Sequence, residues 1–310
     1  MNTWFIIINP VACAGKARAE WTRIAKELTR QNIPYEHAFT THKGDATTIV
    51  QMAAEKGFRY IASAGGDGTL HEVVNGVMQQ TVAPSHQFTI GILPIGTGND
   101  WIKSHKLPKS WRKMIPLLMA QKSKVHDVGI CDYTTEDGYK ARRYFVNVAG
   151  IAYDAYVTRA SNLVHRPSFL PGRIFYSGLI FKCLTQYKPY PLRVTWDGQS
   201  REGKLFSLNT GICSFNGGGA NFCPHAVSDD GLLAFTIVGE VSKMDVVKST
   251  HLIYNGKILS HPLIDGYSTD RISIEHLSEQ AIPLEADGEY LGVSPMSIGI
   301  IKHAINVISA

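Results

Sequence analysis

The order of apolar patterns along this 310-residue chain predicts an α/β protein in two parts: an N-terminal doubly wound parallel α/β domain, residues 1–126, and a C-terminal antiparallel β-sandwich domain, residues 127–310. Two observations predict it. In the first third, short β-branched runs alternate with segments whose apolar residues recur at helical spacing, an order that implies parallel strands with helices on both faces. Beyond about residue 125, strand-like runs follow one another with turn signals between them and few helical stretches, as in antiparallel sandwiches.

The elements follow in order. "TWFIIINP" is a buried strand, and residues 16–31 form a helix with Trp21, Ile24, Ala25 and Leu28 on one face. "YEHAFTT", "YIASAGG" and "FTIGILPIG" are the next strands; "DATTIVQMAAEKG", closed by Gly57, and "TLHEVVNGVM" are the helices between them. In the second part, "RRYFVNVAG", "LRVTWDG", "LFSLNTGICSF", "LLAFTIVG", "DRISIEH" and "SIGIIKHAINVIS" are strand candidates. One helix, apolar around most of its circumference, spans Pro167 to Lys188, and "CSFNGGGANFCP" reads as a mobile loop at the cleft between domains, or as a wide strand connection.

Composition narrows the function classes. The 44% hydrophobic and 18% charged content suits a folded domain pair. No apolar run approaches the roughly 20 residues of a membrane-spanning helix. The start lacks the basic n-region of a signal peptide. Cys13, Cys131, Cys183, Cys213 and Cys223 are odd in number and contain no C-x-x-C pair, which argues against a disulfide framework and a zinc site, and for a reducing cytoplasm. His37, His42, His105, His225 and the other histidines share no ligand spacing and read as packing or surface residues. The net charge of +5 is mild, and with no arginine-rich arm or aromatic RNA-binding signature, nucleic acid is not an expected partner.

Three glycine-bearing loops carry the chemistry: "NPVACAGK" from Asn9, "GGDGTLH" from Gly65 and "PIGTGND" from Pro94. Each follows a predicted parallel strand, so all three meet at the sheet edge where such folds bind ligands. Bare backbone amides at these turns suit phosphate, and Thr69 and Thr97 add hydroxyl donors. Thr69 with Glu72 also reads as a helix capping box. Asp67 in the middle of such a cluster would repel phosphate unless a divalent cation or basic neighbour stands between them, which indicates a metal-nucleotide site. Neither a P-loop nor G-x-G-x-x-G is present, since His71 occupies the third glycine position.

"GGDGTLHEVVNG" followed by "PIGTGND" resembles the diacylglycerol kinase catalytic family, in particular the soluble bacterial lipid kinases related to sphingosine and ceramide kinases. The resemblance runs nearly end to end, through "TTHKGDA" at 40–46, "VHDVG" at 125–129, "SDDGLL" at 228–233 and "ADGEY" at 286–290. It implies transfer of the γ-phosphoryl group of ATP to a lipid hydroxyl, as on diacylglycerol or a sphingoid lipid, within phospholipid metabolism. By motif position ATP contacts Asn9, Thr40, Gly65, Gly66, Asp67, Gly68, Thr69, Leu70, His71 and Thr97. By the same resemblance structural Mg²⁺ falls to Asp230 with the carbonyls of Val227 and Leu232, and the catalytic carboxylates to Asp287 and Glu289; either can be the base, with Glu289 put ahead and Asp287 as its orienting or metal-linked partner. A charge network falls on Lys16, Asp100 and Asp127; where relatives add a lysine this chain has Ser168, with Arg166 and Arg173 nearby. Family members commonly carry Asn at the position of His71.

The resemblance also implies a cytoplasmic enzyme that touches the inner face of the membrane transiently, and leaves a homodimer open. The plain alternatives stay beside it: "DG" and "DDG" are strong turn signals in themselves. An NAD kinase shares GGDG and a β-rich second domain, but "PIGTGND" disfavours it. A catalytically silent nucleotide sensor docked on membranes is opposed by the presence of both "GGDGT" and "DGE".

Overall fold

A computed structural model describes residues 2–13, 15, 17–96, 99–164 and 172–310, the side chains of 172–177 excepted. The first part runs β1 (Trp4–Ile8), α1 (Ala17–Arg30), β2 (Tyr35–Phe39), α2 (Asp45–Glu55), β3 (Tyr60–Gly65), α3 (Asp67–Gln79), β4 (Thr89–Pro94), α4 (Asp100–Ser104) and α5 (Trp111–Ala120). Strands pair in parallel in the order β2-β1-β3-β4. Every residue of β1 and β4 is buried, as strands covered on both faces require. On one face α5 is fixed by Trp4, whose indole N–H donates to the Leu118 carbonyl at 3.1 Å. On the other, α2 and α3 approach so closely that a Cβ at Gly76 would lie 2.7 Å from the Thr47 carbonyl oxygen.

The second part comprises β5 (Ser123–Thr134), β6 (Lys140–Phe145), β7 (Val148–Ala152), α6 (Tyr153–Leu163), α7 (Gly172–Gln186), β8 (Tyr190–Trp196), β9 (Gln199–Leu205), β10 (Ser207–Gly211), β11 (Phe215–Asn216), β12 (Ala220–Asn221), β13 (Leu233–Val238), α8 (Lys243–Tyr254), β14 (Ile264–Thr269), β15 (Arg271–His276), β16 (Pro283–Ala286) and β17 (Glu289–Ile308). Two antiparallel arms, β14-β13-β10-β7-β16 and β9-β8-β15, meet on β17, which also pairs with β5. Their facing residues, among them Ile151, Val194, Leu208, Phe235, Ile274 and Ile298, form the second core.

The 20-residue β17 crosses the whole molecule. Its end pairs in parallel with β4 through Asn306 and Val307, and Ala304, Ile305, Val307 and Ile308 join the first core. A cut of the chain at residue 126 therefore omits a strand that completes the first sheet.

Several local expectations change. "RRYFVNVAG" is two strands, because the amides of Val146 and Asn147 leave the ladder for a carboxylate described below. The second part holds more helix than its pattern implies, in α6 and α8. The helix placed at 167–188 is described over Gly172–Gln186, with 167–171 outside the described residues.

Candidate active site

The loops after β1, β2, β3 and β4 enclose a cleft of about 490 Å³, lined by Asn9, Thr40, Lys43, Gly66, Asp67, Gly68, Thr69, Gly96 and Glu289. Asn9 shapes its rim: its Oδ1 accepts from Val11 N at 3.1 Å, and its Nδ2 donates to Thr69 Oγ1 at 3.3 Å. Thr40 is held by its amide on the Ile8 carbonyl, 2.9 Å. The β2 loop is tied to α3 because Gly44 N and Ala46 N both donate to the Glu72 carboxylate, at 2.8 and 3.2 Å. Glu72 is thus engaged elsewhere, and the expected Thr69 capping box is absent; Gly66 is the N-cap of α3. The floor needs glycine, since a Cβ on Gly96 would lie 2.7 Å from Gly66 Cα.

Asp67 explains its place among these glycines by what it accepts. Its carboxylate takes the amides of Asp100 at 2.8 Å and Trp101 at 3.3 Å, so it locks the loop after β4 to the loop after β3. Burial pushes its carboxyl up to about 6 against the pull of these amides, with the Asp100 carboxylate adding to the rise.

Helical spacing turns two expected contacts away from the cleft. Leu70 is packed in the first core, 1% exposed. His71 is buried behind α3, where its Nδ1 lies 2.9 Å from Asp287 Oδ2 and its Nε2 faces Asn75 Nδ2 at 3.3 Å. Gly65 lies in β3, where its carbonyl accepts from Ile95 and Gly96. Thr97 and Lys16 fall outside the described residues.

The turn between β16 and β17 reaches the cleft from the second domain. Asp287 and Gly288 both have positive φ, 52° and 83°, the geometry of a tight hairpin turn. The turn breaks the strand alternation that would aim Asp287 and Glu289 alike. Asp287 points inward: besides His71, its oxygens accept from Val146 N at 3.1 Å and Asn147 N at 2.9 Å. Glu289 points into the cleft and pairs with Lys43.

The same turn borders an apolar cavity of about 250 Å³, walled by Val157, Phe206, Phe222, Val241, Val246 and Ile253. Its polar end carries Glu285 and Asp154. Glu285 Oε2 accepts from Gly288 N at 2.8 Å and its Oε1 from Asn216 Nδ2 at 3.1 Å; Asp154 accepts from Ser207 Oγ and from Asn209 Nδ2. Burial raises both carboxyls, Glu285 well above the usual carboxylate range. Sequence reasoning missed Glu285, Asp154 and Lys43. Glu285 had one signal, its place two residues before Asp287 in "EADGE", whereas Asp154 sits in a helix start that nothing in its neighbours marks.

The loop of Val227, Asp230 and Leu232 lies apart from this turn, and all three are exposed. Asp230 Oδ1 accepts from Leu232 N at 2.9 Å, while Asp127 fixes the loop by accepting from Gly231 N at 2.7 Å and joins it to His303 N at 2.6 Å. One carboxylate with a second oxygen outside that hydrogen bond, together with backbone carbonyls of exposed residues, is a donor set of the all-oxygen kind that fits a hard divalent cation. Of the expected charge network, Asp100 accepts from Gly218 N at 2.7 Å, so it and Asp127 each anchor a loop of the second domain.

Comparison with known proteins agrees with this geometry. The diacylglycerol kinase catalytic domain matches residues 3–131, and the YegS C-terminal NAD kinase beta sandwich-like domain matches 147–309. A diacylglycerol kinase of Staphylococcus haemolyticus is 29% identical over 97% of this chain and 86% of its own length; one of Staphylococcus aureus RF122 is 27% identical over 97% and 90%. The crystal structure of a diacylglycerol kinase from Bacillus anthracis superposes with a TM-score of 0.72 at 22% identity, covering all of this chain and 97% of that one. Yeast NADH kinase shares the fold more distantly, with a TM-score of 0.53 at 11% identity over all of this chain and 84% of that one. With both halves of the molecule matched in order, the chain belongs to the diacylglycerol kinase family, a family of lipid kinases.

Proposed function

We propose that this protein transfers the γ-phosphoryl group of ATP to the hydroxyl of an amphiphilic lipid, of the kind of diacylglycerol or a sphingoid lipid. One observation carries the proposal: a polar cleft walled by glycine loops and an apolar cavity meet at a single turn, with Glu289 facing the first and Glu285 and Gly288 facing the second. A phosphate donor and a hydroxyl on a greasy tail have those two shapes.

Phosphoryl transfer asks a protein for positioning and charge neutralisation more than for covalent chemistry. The amides around Gly66 and Gly68 would hold phosphate oxygens, joined by Asn9, Thr40, Thr69 and Thr97 and by the Lys43 ammonium, which ATP would draw from Glu289. The acceptor would lay its tail along Val157, Phe206 and Val246 and bring its hydroxyl to the turn. Glu289 would take the proton as the bond to phosphorus forms, while Asp287, fixed by two amides and His71, would set the turn as its positioning residue. Burial holds the Glu285 carboxyl well above the usual carboxylate range, and its oxygens accept from Gly288 N and Asn216 Nδ2, so it would brace the turn at the polar end of the cavity. Mg²⁺ would bind at Asp230 with the carbonyls of Val227 and Leu232, where it would brace a loop of the second domain.

Membrane contact fits α8, which buries none of its residues fully, lines the cavity through Val246 and Ile253, and exposes Met244, Val247 and Tyr254 beside Lys243 and Lys248. Among the described residues no helix is long and apolar enough to cross a membrane, so the acceptor would be drawn from the inner membrane face by transient contact. The test is purified protein with labelled ATP against a panel of diacylglycerol, sphingoid bases, ceramide, soluble alcohols and NAD. Label in a lipid product is the expected result; hydrolysis alone, or label in NAD, overturns the proposal.

A further inference from the structure

Away from the turn, the seam between the two domains gathers three side chains that the proposed reaction does not use. His105 is the C-cap residue of α4, His126 lies on β5, and Cys213 stands at the entrance to the loop after β10. They are 21 and 87 positions apart in succession, so no ligand motif could reveal them. His126 and Cys213 are buried, and His105 is partly buried.

Their ligand atoms converge. His105 Nε2 and His126 Nε2 are 3.2 Å apart, and Cys213 Sγ lies 3.6 Å from the first and 3.8 Å from the second. A zinc ion bound tetrahedrally at about 2.05 Å to nitrogen and about 2.3 Å to sulfur spaces two nitrogens by about 3.3 Å and a nitrogen and sulfur by about 3.6 Å. The three side chains therefore already stand at three corners of such a site.

Hydrogen bonding alone serves the cluster poorly. The Nδ1 of His126 donates to the Asp127 carbonyl, which fixes the tautomer and leaves Nε2 as a bare lone pair, as outer-shell partners do for ligating histidines. The indole N–H of Trp101 reaches that lone pair only at 3.4 Å. His105 Nδ1 is buried without a partner, so a proton on Nε2 wastes one acceptor, and a proton on Nδ1 sets two lone pairs face to face at 3.2 Å. A cation turns that close approach into two bonds.

We infer that His105, His126 and Cys213 form a zinc-type site that bolts the two domains together, with a fourth position open to water. Binding replaces the Cys213 thiol proton, released to solvent, by a sulfur–metal bond, and displaces the long Trp101 contact. The bolt would join α4, whose Asp100 already holds Gly218 N, to the loop that begins at Cys213. The inference does not depend on which substrate the protein phosphorylates.

The test strips the reduced protein with a chelator and titrates it with Co²⁺. One equivalent should give the near-ultraviolet charge-transfer band of a cobalt thiolate and strong visible bands of tetrahedral cobalt; Zn²⁺ should bleach both and raise the melting temperature. Cys213→Ser should lose the charge-transfer band and Cys13→Ser should keep it. His105→Gln removes a ligand outright, where even an outer-shell change costs about 10- to 100-fold in affinity, so Co²⁺ binding should weaken at least that much. If Cys213→Ser does not fold, the parent spectrum and His105→Gln decide. No charge-transfer band in the parent, a band that survives in folded Cys213→Ser, or unchanged affinity in His105→Gln overturns the inference and leaves a hydrogen-bonded thiol–imidazole cluster.

Discussion

The glycine-loop cleft and the apolar cavity share the turn from Ala286 to Glu289, yet they are made in different ways. The cleft is built from backbone: its floor is Gly66 against Gly96, and its loops are stitched by main-chain amides on Asp67, Glu72 and Asn9. The cavity is built from side chains brought by α6, α7, α8, β10 and β13, with two carboxyls at one end that burial pushes above the usual carboxylate range. A backbone site tolerates little change of shape and accepts one kind of ligand. A side-chain site can be re-cut by substitution, and this is where acceptor specificity in a lipid kinase would reside.

The turn itself should answer most strongly. If Glu289 takes the acceptor proton, Glu289→Gln should slow single-turnover phosphorylation by about 10²- to 10⁴-fold while ATP affinity and melting stay near parental values. Asp287→Asn should behave differently, because it sets an amide N–H against donors of Val146, Asn147 and His71. Its loss of rate should come with a stability cost of about 1–3 kcal/mol. Near-normal phosphorylation in both variants would return the segment to a plain hairpin.

Glycine substitutions separate fold from binding inside the cleft. A Cβ at Gly96 meets backbone, so Gly96→Ala should lower the melting temperature, at a cost of about 1–3 kcal/mol for overpacking. At Gly68 the nearest atom is Glu289 Oε1, at an ordinary 3.6 Å. Gly68→Val should therefore stay folded and lose ATP affinity. Calorimetric affinity unchanged in folded Gly68→Val would remove phosphate from this cleft.

This contrast also explains what could be read from the chain. The parallel sheet, the three loops and the DGE turn were legible because each is local: strand period, glycine spacing and turn residues lie within a few positions. Leu70 and His71 were misplaced because the loop motif runs on into a helix, whose period turns them inward. The split of "RRYFVNVAG" was not legible because its cause, Asp287, is 140 residues away. The cavity was invisible for the same reason. The helix α8 did carry a signal, the Ser242–Asp245 capping box, hidden by the strand-rich look of its neighbourhood.

Asp67 links the cleft to pH. Its folded pKa of about 6 lies above the ordinary carboxylate value, so the folded chain holds this proton more tightly than the unfolded chain. The stability it contributes is full below about pH 4 and is lost as pH rises to about 6, an effect of order 2–3 kcal/mol. Asp67→Asn, which keeps an acceptor for the Asp100 amide, should flatten that part of the melting profile. Metal-free ATP should bind more weakly above pH 6 than below it, since the ionised carboxylate then faces phosphate, and the variant should lose this dependence. Identical pH profiles for parent and variant would show that Asp67 does not titrate in this range.

The gentlest probe is the wall of the cavity. Ser242 caps α8 by accepting from Asp245 N at 3.1 Å, while Asp245 accepts from Ser242 N at 3.1 Å. No residue of α8 is fully buried, so the cap supplies much of what holds the helix in place. Removing such a cap costs about 1 kcal/mol, a factor of about five in a local opening equilibrium. Ser242→Ala should speed amide exchange across residues 243–254 by that factor and leave exchange in β1, β3 and β4 unchanged. Because Val246 and Ile253 line only the cavity, the KM for a long-chain acceptor should shift while ATP affinity holds. Equal exchange in parent and variant would mean that packing through Val246, rather than the cap, fixes α8. A matching change in ATP affinity would mean that the two sites are coupled through the turn instead of merely adjoining it.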